Sequence, residues 1–183
     1  MKQLIIILSL LCIGLQSEAQ QKVKNEADTF PIPPVNKNMM FYLQRTPNTN
    51  TIIYALNFKN DNTINENTPI KVYWIRYTEP GQPIKGLSAI QRQFAYGIKS
   101  KKIASNTWDL RMVAYDKLPI TLRKNTNGTF NTYITINGTE CIFKKAYIKV
   151  DGGTFWSPNI PYIEIYASDK QGRQLSYKIL NPK

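Results

Sequence analysis

Asn127-Gly128-Thr129-Phe130-Asn131-Thr132-Tyr133-Ile134-Thr135-Ile136-Asn137-Gly138-Thr139-Glu140-Cys141-Ile142-Phe143 reads as a β-strand framed by two tight turns, with a second strand following. Asn-Gly is the dipeptide of two-residue hairpins, because both central residues must take positive φ. Between the turns, β-branched and aromatic residues alternate with polar ones, the period of a half-buried strand. Both turns also form Asn-Gly-Thr sequons, but the hairpin geometry accounts for them without a sugar.

Working outward, the same text recurs. Strands are predicted at 107–115, 118–124, 129–136, 139–150, 161–168 and 173–180, with turns at Asp151-Gly152-Gly153 and Asp169-Lys170-Gln171-Gly172. Upstream lie a short piece at Phe41-Tyr42-Leu43, a strand at 51–58 and another at 70–77, closed by Glu79-Pro80-Gly81. One segment breaks the period. Leu87, Ile90, Phe94 and Ile98 recur at helical spacing, Ser88-x-x-Gln91 has the form of a capping box, and Gly97 could supply a left-handed end. The expectation is a mainly β fold: an antiparallel barrel or sandwich of about nine strands with one short helix.

The N-terminus carries a different signal. Lys2, an apolar run from Leu4 to Leu15, and Ser17 and Ala19 at small-x-small spacing predict a signal peptide at 1–19, cleaved after Ala19. The run is too short to span about 30 Å of hydrocarbon, and no later stretch approaches that length, so no transmembrane helix is expected in the mature chain. Cys12 follows Leu11 rather than a small residue, which argues against a lipid anchor. Residues 20–38 are polar and then proline-rich (Phe30-Pro31-Ile32-Pro33-Pro34) and read as an extended lead-in. Residues 39–183 then form a single β domain.

Composition excludes several classes of chemistry. The chain has no histidine and two cysteines, of which Cys12 leaves with the leader. Ser-His and Cys-His hydrolysis, imidazole or thiolate zinc sites and iron–sulfur clusters are therefore not expected; no metal and no cofactor is implied. Cys141, alone in the mature chain, reads as a buried strand residue. The net charge is +12, and it survives cleavage because Lys2 and Glu18 cancel. In an exported protein the available anions are envelope lipids and glycans rather than nucleic acid. The basic residues are scattered, so solubility is the simpler account of the excess.

Two groups could carry function. In Tyr162-Ile163-Glu164-Ile165-Tyr166 the alternation puts Glu164 with Tyr162 and Tyr166 on one face. Buried there, Glu164 could serve as a general acid; the sequence favours an outward, solvated carboxylate. Trp74 and Arg76 share a face of the 70–77 strand, where an indole beside a guanidinium could hold a sugar or a headgroup. A core tryptophan with Arg76 reaching solvent is the simpler alternative.

Lys71-Val72-Tyr73-Trp74-Ile75-Arg76-Tyr77 and Ile90-Gln91-Arg92-Gln93-Phe94-Ala95-Tyr96-Gly97-Ile98 resemble a family of exported proteins from Bacteroidota, described only as domain of unknown function 4833. The likeness covers roughly residues 39 to 180. It implies an envelope or secreted location, periplasmic or beyond, and carries no activity and no catalytic residues. The leading expectation is a non-enzymatic binding domain for an envelope lipid or glycan, with ligand-binding candidates Trp74, Arg76, Tyr162 and Tyr166. The alternatives are a carboxylate-dependent hydrolase or lyase using Glu164, and an assembly subunit.

Overall fold

The structure, a computed structural model, describes residues 26–182. The leader at 1–19 and its cleavage point after Ala19 lie outside these residues. The fold is mainly β with one short helix, and its mostly antiparallel sheet curls into a half-barrel. The strands are β1 (Met39–Arg45), β2 (Asn48–Leu56), β3 (Ile70–Ile75), β4 (Ile84–Gly86), β5 (Ile98–Ala104), β6 (Thr107–Met112), β7 (Ile120–Lys124), β8 (Phe130–Ile136), β9 (Thr139–Lys149), β10 (Tyr162–Ser168) and β11 (Gln174–Leu180). Helix α1 (Ala89–Phe94) joins β4 to β5.

The topology turns on β9. Its first residues pair with β8 through the Asn137-Gly138 hairpin, and residues 145–148 pair in parallel with β1. Strand β10 runs along the opposite edge of β9 and carries β11 outside it. Strands β1 and β8 therefore sit end to end on one edge and begin two wings, β1-β2-β3-β4 and β8-β7-β6-β5. The wings curl toward each other and share one core. Ile52, Tyr54 and Trp74 from the first meet Trp108, Leu110 and Leu122 from the second, all buried. In this shared core the polar atoms of Trp74, Trp108 and Tyr54 each find a partner, as burial requires. Trp108 Nε1 donates to Glu66 O at 3.0 Å, and Tyr54 Oη donates to Tyr96 O at 2.8 Å.

The strand expectations agree with the observed elements within a few residues, and Cys141 is buried in β9. Three local readings differ. The sheet is mixed rather than purely antiparallel, because β1 and β9 pair in parallel across a long stretch of chain. The helix is shorter than 87–98. The Ser88 capping box forms, but the helix ends at Phe94, and Ile98 opens β5. Gly97 is not a left-handed terminus either, being absent from the positive-φ residues. A Cβ there would lie 1.8 Å from Arg92 O, so glycine is required by close approach of the backbone.

The polar lead-in packs on the domain from residue 26 onward. A 3-10 turn at Glu26–Thr29 buries Ala27 against Tyr147, Phe30 meets the Tyr147 ring edge-on at 5.4 Å, and Gln44 Nε2 donates to Pro31 O at 2.7 Å. At the far end of the sheet, edge strand β5 exposes Lys99, Lys101 and Lys102. Lysines on a sheet edge oppose strand addition by another chain, which gives part of the basic excess a structural use.

Gly97→Ala should destabilise the fold by about 1–3 kcal/mol, the usual cost of overpacking. Thermal melts of the variant and parent, compared by circular dichroism, check this; an unchanged Tm would remove the close-approach argument.

Candidate functional site: an apolar cavity in the half-barrel

Where the wings diverge, the concave face encloses a cavity of about 660 Å³. That is within the size range of ligand sites. Its floor is aliphatic and aromatic: Leu43 from β1, Phe143 and Ile148 from β9, Ile163 and Ile165 from β10, and Ile179 from β11. Ala95, Ala114 and Ala146, with Gly152 and Gly153, line it with small residues where larger ones would fill it. Period-2 alternation explains how each strand contributes. Phe41, Leu43 and Arg45 face inward from β1, while Gln44 between them turns outward to Pro31 and Thr51.

The mouth is aromatic. Phe94, Phe155 and Trp156 line it and stay half or more exposed. Trp156 meets Phe94 edge-on at 5.4 Å and Phe155 at 4.8 Å. The β9–β10 loop that presents two of these rings is tightly built. Asp151 N donates to Asn159 O at 2.9 Å, Thr154 N to Ser157 O at 3.1 Å, and Asn159 N to Gly152 O at 3.1 Å. At Gly153, φ is +84° and a Cβ would lie 2.4 Å from Ser157 O, so only glycine closes this loop. Phe94 belongs to the helical repeat of the sequence, and its side of the helix is not a core face. The helix buries none of its residues and offers Phe94 to the mouth.

Arg45 is the one charged side chain among the residues lining the cavity. Strand β1 holds it in place from its end: Thr46 Oγ1 donates to Val150 O and accepts from Val150 N, both at 2.8 Å. The guanidinium stands 5.7 Å from the centre of the Tyr96 ring. Its Nη1 reaches Thr46 O at 3.4 Å, and its Nε is buried with no hydrogen-bond partner. Among the described residues no carboxylate pairs with it.

The sequence-selected residues fall in two other places. Trp74 is 2% exposed and belongs to the core; its Nε1 donates to Gln91 Oε1 at 3.3 Å, and Tyr96 packs edge-on against it at 5.1 Å. Arg76 lies over the indole at 4.9 Å and pairs with Glu79 at 3.7 Å. The two do stack, but the indole has no free face to offer a sugar. They reach the cavity only indirectly, because Tyr96 lies between Trp74 and Arg45.

Glu164 is a correction to the favoured outward reading: it is buried, at 7% exposure. It shares the face of β10 opposite the cavity with Tyr162 and Tyr166, since Ile163 and Ile165 take the cavity side. Residues 26–30 cover this face, and that is why a strand carboxylate which should meet water does not. Lys145 Nζ donates to Ala27 O at 3.3 Å and lies 4.3 Å from the centre of the Tyr166 ring. Burial lowers the Lys145 pKa, against the opposing pull of Asp28 and Glu164. Burial also raises the Tyr166 pKa, and the Glu164 charge and a hydrogen bond to Glu164 raise it further. The group is a closed polar network between the sheet and the N-terminal turn.

The model of the family described as domain of unknown function 4833 matches residues 41–178. The chain belongs to this family. The matched span takes in β2 through β10 and most of β1 and β11, so the half-barrel and nearly all of its cavity lie within the DUF4833 domain. No curated protein and no solved structure matches the chain. Among the described residues no helix is long and apolar enough to cross a membrane.

Arg45 escaped the sequence reading, although a signal existed. Phe41-x-Leu43-x-Arg45 continues an inward apolar face and ends it with a charge, which an ordinary strand places outside.

Burial holds the pKa values of Tyr54, Tyr147 and Tyr166 above the ordinary 10.0. The unfolded chain therefore releases these protons first, and stability must fall as pH rises past about 10. Lys145, with its lowered pKa, acts in the opposite direction, but it stands against these three tyrosines and against Tyr42, Tyr73 and Tyr77, which burial also raises. Thermal melts at intervals between about pH 8 and pH 11 should show a flat Tm followed by a steep decline, with a further rise in tyrosinate absorbance, that of the buried rings, on unfolding.

Proposed function

We propose that the protein is a non-enzymatic binding domain, exported from its cell, that holds a lipid in the cavity of the half-barrel. The observation that carries this reading is the lining: a concave space of about 660 Å³ whose walls are mainly apolar and which opens through exposed aromatic rings. Such a surface favours hydrocarbon by the ordinary hydrophobic effect, about 25 cal/mol for each Å² removed from water. A glycan would need convergent polar groups, and the walls hold few. The lining has no aspartate or glutamate, so paired-carboxylate hydrolysis finds no footing there. Glu164, on the opposite face, is roofed by the N-terminal turn.

Export rests on the leader: Lys2, the apolar run to Leu15, and the small residues at 17 and 19. A periplasmic or secreted lipid-binding domain would meet envelope lipids directly, and the +12 charge suits anionic ones.

Native mass spectrometry of the mature protein from its own cells, followed by solvent extraction, should recover a bound lipid. Trp156 is the exposed member of three tryptophans, with Trp74 and Trp108 buried, so added lipid should shift its emission to the blue. Trp156→Phe should remove that signal. Ala146→Trp projects an indole into the cavity and should weaken binding roughly tenfold or more, about 1.4 kcal/mol, with little change in Tm. Undiminished affinity in Ala146→Trp would place the ligand elsewhere.

A further inference from the structure

We infer that the cavity takes an amphiphile with an anionic head, and that Arg45 is the residue that selects it. The inference rests on the cavity being a lipid site and names the class of lipid. A guanidinium carries five donors in a planar fork and stays charged at any ordinary pH. Half-buried against a mainly apolar wall, such a cation is costly in proportion to its burial unless an anion answers it. Elsewhere the protein answers its buried or half-buried cations: Arg123 makes two hydrogen bonds to Glu140, at 2.7 and 2.9 Å, Arg76 faces Glu79, and Lys145 has Asp28 and Glu164 acting on it. Arg45 alone among the cavity's residues is charged, its Nε is buried without a partner, and its nearest acceptor is a peptide oxygen at 3.4 Å.

The surroundings fit a head-and-tail ligand. Beyond Arg45 the inward face of β1 continues as Leu43 and Phe41, and beside it β9 offers Ile148, Ala146 and Phe143. A carboxylate or phosphate paired with the guanidinium would thus direct its chain along an unbroken apolar track. Tyr96 stacks under the guanidinium and Thr46 fixes the end of β1, so the fork is held in position before any ligand arrives.

The test compares ligands that differ only in the head. Displacement of an apolar fluorophore by hexadecanoic acid, hexadecyl phosphate and hexadecanol is measured at neutral pH, with inorganic phosphate as the head without a chain. The parent protein should bind the two anionic amphiphiles at least tenfold tighter than the alcohol, and inorganic phosphate should displace nothing. In Arg45→Gln the acid and the phosphate ester should fall to the level of the alcohol, whose own affinity stays unchanged; Arg45→Lys should keep part of the preference. Because Arg45→Gln removes an unanswered charge, its Tm should hold or rise, whereas loss of a merely structural arginine would lower it. Equal binding of acid and alcohol by the parent protein, or a preference that survives in Arg45→Gln, would overturn the assignment and leave the lipid cavity standing. Displacement by inorganic phosphate alone would reduce the site to a simple anion site and overturn it too. Failure of every chain to bind would remove both the assignment and the lipid reading.

Discussion

Strand β9 divides its pairing among three neighbours, and the rest of the architecture follows from that division. With β8 and β1 taking successive stretches of one edge, two wings must start from the same line and cannot both continue in one plane. Strand twist has a fixed hand, so the wings turn toward the same side and enclose a concave face. At one level the gap between them is closed by large side chains, chiefly Trp74, Trp108 and Tyr54. At the other level alanines and glycines interrupt the larger wall residues, and the gap persists as a cavity. Its position is set by where the wings part, its volume by side-chain size.

The two faces of β9 and β10 are built on opposite principles. Inside, Ala146, Ile148, Ile163 and Ile165 present hydrocarbon to an unfilled space. Outside, Lys145, Tyr147, Glu164 and Tyr166 form a polar and aromatic layer sealed by residues 26–30. The outer layer balances its charge, with Asp28 and Glu164 acting on Lys145, and leaves only the Tyr147 hydroxyl buried without a hydrogen-bond partner among its named residues. The inner layer forgoes dispersion contacts across the void and leaves a cation unanswered, both of which cost stability. A single amphiphilic ligand relieves both defects together, which neither a sugar nor a bare ion can do.

Legibility in the sequence followed the range of the interactions involved. The Asn137-Gly138 hairpin, the alternating strands and the Ser88–Gln91 cap are decided by neighbours along the chain and appear where they are read, whereas Asn127-Gly128 lies in a longer loop over 125–129 in which Gly128 has positive φ and Asn127 does not. The parallel pairing of β1 with β9 joins segments about a hundred residues apart, and no local pattern announces it. Strands β4 and β5 were missed for a different reason. Edge strands carry little apolar alternation, and the lysines that protect β5 also hide it. Glu164 was read outward because a carboxylate between tyrosines belongs in water. Its burial depends on a proline-rich segment whose own sequence suggests only a spacer.

Trp74 with Arg76 was legible as an indole beside a guanidinium, and the structure holds a second such arrangement, Tyr96 with Arg45. The four side chains form one file: Arg76 over Trp74 at 4.9 Å, Trp74 against Tyr96 at 5.1 Å, Tyr96 under Arg45 at 5.7 Å. Stacking geometry does not separate the two ends, but charge balance does. Arg76 sits just past a strand end with Glu79 beside it, so its charge is balanced without a ligand even though its Nε, like that of Arg45, is buried with no hydrogen-bond partner. Arg45 has only a peptide oxygen, and the space it faces is the cavity. The shared aromatic pair makes the completed end a rigid support for the incomplete one, since a ring clamped by Trp74 cannot turn away from the guanidinium above it. The end of the file that the fold leaves without a counter-charge is therefore the one that faces the cavity.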